Sequence, residues 1–117
     1  MLKIALLIFA IGALGGLVLA SHVLRGKLAP WALSIIHMLL GATGLVLTGL
    51  VVLGGSDDGK GMVPIALLVL VVAALEGFYL ASIHAKKKVA STGLVFTHAS
   101  FAVLGFLLLV AATFRLI

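Results

Sequence analysis

The chain has 117 residues, 64% of them hydrophobic, with 8 basic and 3 acidic side chains, a net charge of +5 and no cysteine. That composition excludes a water-soluble domain and leaves no room for catalytic machinery outside the apolar runs. The missing cysteine excludes disulfides, thiolate metal sites, cysteine-held iron–sulfur clusters and thioether-linked haem.

Four apolar runs are predicted as helices, near residues 2–22, 31–53, 62–83 and 92–114. At about 1.5 Å per residue, each is long enough to cross a hydrocarbon core of about 30 Å. The first run lacks a basic leader and an Ala-x-Ala end, so it is expected to be a retained helix rather than a signal peptide. It closes on a basic connection, His22 to Ala29, with Arg25 and Lys27 inside it. Pro30 suits the first turn of the second helix, and Trp31 suits the headgroup interface. The second connection, Gly54 to Gly61, is glycine-rich and carries Asp57 and Asp58, read as a solvated turn. Pro64 opens the third helix. The third connection carries His84 and Lys86-Lys87-Lys88, and Ser91-Thr92 is a cap signal for the fourth helix.

Connections one and three hold five Lys/Arg; the opposite side holds Lys3, Lys60 and Arg115. The positive-inside rule therefore places the two basic connections in the cytoplasm and both termini outside, in a bacterial inner membrane. The cations lie at membrane edges, so the net charge points to lipid headgroups or cofactor carboxylates and not to nucleic acid. Short connections make successive helices antiparallel neighbours. The expected fold is an all-α integral membrane four-helix bundle forming one domain, residues 1–117.

Residues 4–53 and 65–114 align at a constant offset of 61 without gaps, and 16 of the 50 pairs are identical. Composition alone gives roughly one identity in ten, so the chain contains an internal repeat of two helical hairpins. With an even number of spans between the copies, the hairpins have the same orientation, a parallel repeat about an axis along the membrane normal.

The repeat keeps a histidine at the same place in each copy, His37 and His98. Ionisable residues inside a membrane are costly and mark function by default. Counting back from the hairpin apex places Gly16 at the depth of His37 and Gly77 at the depth of His98. Gly44 and Gly105 follow two turns later on the same face. The expectation is a flat cavity lined by glycine, entered by one imidazole from helix 2 and one from helix 4. If these helices are diagonal, the pair suits the axial positions of a porphyrin iron. The site would lie about 10 Å below the basic end, with propionates toward Arg25, Lys27, Lys86, Lys87 and Lys88. Ser34 and Thr97 are candidates to satisfy an imidazole N–H, or to bond back to their own helix. Close helix packing alone accounts for Gly12 and Gly49, and extends to Gly41.

His22 and His84 lack counterparts in the repeat, and are expected to be solvated at the interface or to touch propionates. Glu76 is the only acid within a helix. Ionised, it would cost on the order of 3 kcal/mol by insertion scales, so it reads either as a proton relay or as a structural hydrogen-bonding group.

The two His-x6-Gly patterns, His37 to Gly44 and His98 to Gly105, resemble those of four-helix membrane b-type cytochromes. That broad group includes superoxide-oxidase-like diheme cytochromes, the membrane anchors of succinate dehydrogenase and single halves of haem A synthase. The resemblance covers the whole chain as architecture. It implies haem b ligated by His37 and His98 and electron exchange with a quinone or partner subunit, in a heteromeric or homo-oligomeric assembly. Unlike the diheme members, the chain has no histidine near the outer side. Three other readings are open: a (bacterio)chlorophyll on each histidine, a small proton-coupled transporter or channel using Glu76, and a purely structural membrane subunit.

Overall fold

A computed structural model describes residues 1–117. It is all-helical: α1 (Leu2–Leu24), α2 (Trp31–Leu53), α3 (Val63–Ala85) and α4 (Thr92–Thr113), with one 3-10 turn at Asp57–Gly59 between α2 and α3. Neither proline interrupts a helix. Pro30 is the N-cap of α2 and Pro64 lies in the first turn of α3, where the missing N–H has no intrahelical partner to lose. Ser91 caps α4, its side chain accepting from the Leu94 amide at 3.2 Å.

At the basic end α1 and α3 close in the same way. Lys27 N donates to His22 O and Gly26 N to Val23 O; Lys88 N donates to Ile83 O and Lys87 N to His84 O. These are Schellman closures, which require a left-handed residue just past the helix. Gly26 supplies it in the first hairpin, at φ 66°, and Lys87 in the second, at φ 57°.

The helices form an up-down-up-down bundle extending 44 × 21 × 19 Å. Packing is dense within the α1–α2 and α3–α4 pairs and much sparser between α2 and α3 and between α1 and α4. α2 and α4 stand on one diagonal, α1 and α3 on the other. All four helices are long and apolar enough to cross a membrane. Only 16 of 117 residues are buried, while Leu7, Leu14, Leu17, Leu68, Leu75 and Phe96 are more than half exposed. So much apolar surface along every helix is the outside of a protein dissolved in lipid. The chain is therefore an integral membrane protein by its helices.

The apolar core is not centred. Leu2, Leu6, Val51, Val63, Ala66, Leu70 and Leu109 cluster in the half that carries the termini and the Asp57 turn. From the histidines to the basic end, the helices bury only Ser34 and Val95. The bundle is well filled at one end and thinly filled at the other.

Candidate functional site

His37 lies six residues into α2 and His98 six residues into α4, which puts both about 9 Å from the basic end. They approach each other across the diagonal. Their ring centres are 6.2 Å apart and their planes cross at 83°.

Each ring is held by its own hairpin. His37 donates from Nδ1 to the carbonyl of Gly12 at 2.8 Å, and His98 from Nδ1 to the carbonyl of Ala73 at 2.7 Å. A carbonyl only accepts, so the proton is on Nδ1 and the lone pair of the neutral ring is on Nε2. Gly12 and Ala73 are related by the same offset of 61 as the histidines.

Gly16 and Gly77 sit beside the histidines, at the depth expected from the apex count. What they admit is different from the expectation. A β-carbon on Gly16 would stand 2.9 Å from Cε1 of His37, and one on Gly77 would stand 3.0 Å from Cε1 of His98. The glycines make room for the imidazoles themselves. The ring can then lie close against the neighbouring helix and reach a carbonyl one turn away.

Gly44 and Gly105 do not line an open cavity. A β-carbon on Gly44 would strike the Phe9 ring at 2.6 Å, and one on Gly105 would strike Leu70 at 2.7 Å. Phe9 and Leu70 are again offset by 61. These notches are filled by side chains of the preceding helix and form a floor under the histidine layer. Gly41 and Gly49 face open space. Neither notch, at Gly44 or at Gly105, is a pocket beside the histidines.

Two expectations for the polar neighbours are corrected. Ser34 serves neither His37 nor its own helix: its Oγ lies 2.6 Å from Nδ1 of His84. Thr97 bonds back to Gly93 O and Leu94 O. His84 is not merely solvated. It donates from Nε2 to Ala29 O at 2.8 Å, and its ring meets Trp31 edge-on at 5.0 Å. It ties the end of α3 to the start of α2. This role was hidden in the sequence because its partners belong to the other hairpin. The only available signal was that His84 breaks the repeat. His22 bonds to Val18 O of its own helix at 2.8 Å.

Arg25, Lys27 and Lys86 are exposed at the basic end and make no hydrogen bond to the histidine layer; Arg25 folds back onto Ser21 O. Glu76 is half-buried and enters neither an ion pair nor a hydrogen bond; both ion pairs, Lys60–Asp57 and Arg115–Asp58, are at the opposite end. No group of three or more His, Cys, Asp or Glu side chains is assembled anywhere.

Compared with protein-family models, curated proteins and solved structures, the chain matches none significantly.

Proposed function

We propose that the chain is a membrane b-type cytochrome in which two parallel-repeat hairpins hold one haem b between His37 and His98. It would exchange electrons with a quinone or a partner subunit. The supporting observation is the spacing of the two imidazoles. An imidazole nitrogen binds a metal at about 2.0–2.1 Å and lies about 1.1 Å from its ring centre, so two imidazoles on opposite sides of one ion have centres about 6.3 Å apart. The 6.2 Å separation is the one such a pair needs, provided the two Nε2 atoms turn toward each other.

The donor set favours a metal group that brings ligands of its own. Two histidines with no third ligand do not retain a bare ion. A porphyrin brings four nitrogens of its own and asks the protein only for axial ligands. One macrocycle per histidine, as in the chlorophyll reading, would need the rings moved apart to admit a second plate about 3.5 Å thick. Bound between the histidines, haem would supply reversible one-electron transfer.

The chain's own residues would do the rest. The Gly12 and Ala73 carbonyls fix the tautomer and ring orientation and make each Nε2 a stronger donor. Gly16 and Gly77 let the rings seat. Phe9 and Leu70 close the floor. A flat ring would have to part the sparsely packed seam between the hairpins, and Arg25, Lys27 and Lys86 at the basic end would favour its carboxylates. The same cations orient the chain with the basic connections in the cytoplasm and the termini outside.

The deciding experiment is an optical spectrum of the purified protein, oxidised and reduced. Six-coordinate low-spin haem b gives sharp, split bands on reduction. A colourless preparation from haem-replete cells, with nothing extracted into acid acetone, excludes the proposal. A green extract points to chlorophyll.

A further inference from the structure

We propose that the basic end binds the phosphate headgroup of an anionic phospholipid, with Lys87 as its cation and Trp31 as its hydrogen-bond donor. The site is a cavity of about 390 Å³ lined by Leu28, Ala29, Trp31, His84, Ala85 and Lys87. It rests on the membrane reading alone and is independent of haem.

The chemistry of the lining selects the ligand. Both ring nitrogens of His84 are engaged, Nδ1 with Ser34 and Nε2 with the Ala29 carbonyl. His84 therefore contributes a fixed wall, against which Trp31 stands edge-on. Among the lining side chains, those left to bind a ligand are the Lys87 ammonium and the Trp31 indole N–H. Both donate and neither accepts. A ligand that accepts only, carries negative charge and trails an apolar chain matches them. At a helix end in a bilayer, that is a phosphodiester on acyl tails.

Lys87 also differs from its counterpart in the repeat. It holds the left-handed position of the α3 closure, at φ 57°. The first hairpin fills the equivalent position with Gly26. Arg115 holds the same left-handed position at the end of α4, at φ 56°. Lysine in the α3 closure adds a cationic residue to the cavity lining, which a glycine would not. Arg25, Lys27, Lys86 and Lys88 at the same end add attraction for an anion without lining the cavity.

The test is native mass spectrometry of the full chain in a neutral detergent, titrated with phosphatidylglycerol or phosphatidylcholine. One phosphatidylglycerol should be retained in preference to phosphatidylcholine. Lys87→Gln should weaken that first binding about fivefold, while Lys88→Gln changes it much less. Lys87→Gly guards against misfolding as an explanation: it should melt at a higher temperature yet lose the lipid. Equal losses for Lys87→Gln and Lys88→Gln would mean diffuse surface charge and overturn the site. Equal retention of phosphatidylcholine would overturn the charge selection. Displacement of the lipid by millimolar inorganic phosphate would make this a soluble-anion site instead.

Discussion

Gly16 lies directly against His37, with room for a hydrogen and not for a methyl: a β-carbon there would be 2.9 Å from Cε1 of the imidazole. Gly77 and His98 repeat the relationship at 3.0 Å. Elsewhere in an apolar helix, Gly→Ala is neutral or stabilises by up to about 1 kcal/mol. At these two positions it should displace the ring and strain its bond to the carbonyl one turn away. We expect Gly16→Ala and Gly77→Ala each to cut haem per folded monomer severalfold. Gly49→Ala, which meets nothing within 4 Å, should leave it unchanged. Equal haem in all three would show that the glycine contact does not seat the ligand.

His37→Ala or His98→Ala should remove haem, or leave it five-coordinate and weakly held. Each variant also leaves a carbonyl, Gly12 O or Ala73 O, without its side-chain donor. Since each carbonyl already accepts within its helix, the fold should survive. Imidazole added to the solution should restore a low-spin spectrum in the variant that retains haem. Unaltered low-spin spectra in both variants would remove these residues as ligands.

The 83° crossing of the rings makes a spectroscopic prediction. If His37 and His98 held a haem iron, each imidazole would donate π density into the iron d orbital perpendicular to its own plane. Perpendicular rings raise both such orbitals alike and leave them nearly degenerate, whereas parallel rings split them. The oxidised protein should therefore give the highly anisotropic low-spin electron paramagnetic resonance signal of near-degenerate orbitals. A rhombic spectrum would show that the rings turn toward parallel when the ligand is bound.

The helices were legible because the apolar runs are uninterrupted and their ends are chemically marked. The two ends that run past expectation, Leu24 and Ala85, are those extended by the closures at Gly26 and Lys87. The register of Gly16 on His37 was legible because antiparallel neighbours joined at a known apex share depth by counting. What fills the Gly44 and Gly105 notches was not legible. Phe9 and Leu70 reach them through the crossing geometry of two helices, which apolar residues of similar hydropathy do not encode. The pairing of His84 with Ser34 and Ala29 was illegible for another reason. It joins residues 50 and 55 positions apart in different hairpins, and no local spacing announces it.

Orientation is testable apart from the cofactor. The basic connections carry five cations against three at the other end, and two of those three are in ion pairs, Lys60 with Asp57 and Arg115 with Asp58. A reporter fused after Ile117 should read outside, and Lys86→Gln with Lys88→Gln should raise the inverted fraction. A cytoplasmic reading from the wild-type fusion would reverse the topology and place the histidine layer near the outer face.

His84 and His22 occupy the same end of the bundle, yet they should respond oppositely to removal. His84 makes two hydrogen bonds to the other hairpin and supports Trp31 edge-on. Its partner Ser34 is only 7% exposed. His84→Ala breaks both bonds and strips a buried hydroxyl of its partner, at a cost of about 1–3 kcal/mol. Ser34 can recover part of this by turning to a carbonyl of its own helix, as Thr97 does with Gly93, which puts the expected loss in the lower half of that range. His22 bonds only to Val18 O one turn back, so His22→Ala should be close to neutral. Neither side chain lies in the layer of His37 and His98, so both variants should keep a low-spin haem spectrum while His84→Ala alone melts earlier. The thermal midpoint and the spectrum, read on the same samples, separate a structural tie from a ligand. If His84→Ala bleached the haem without lowering the melting temperature, the ligand would be His84 and the site would lie one to two turns nearer the basic end.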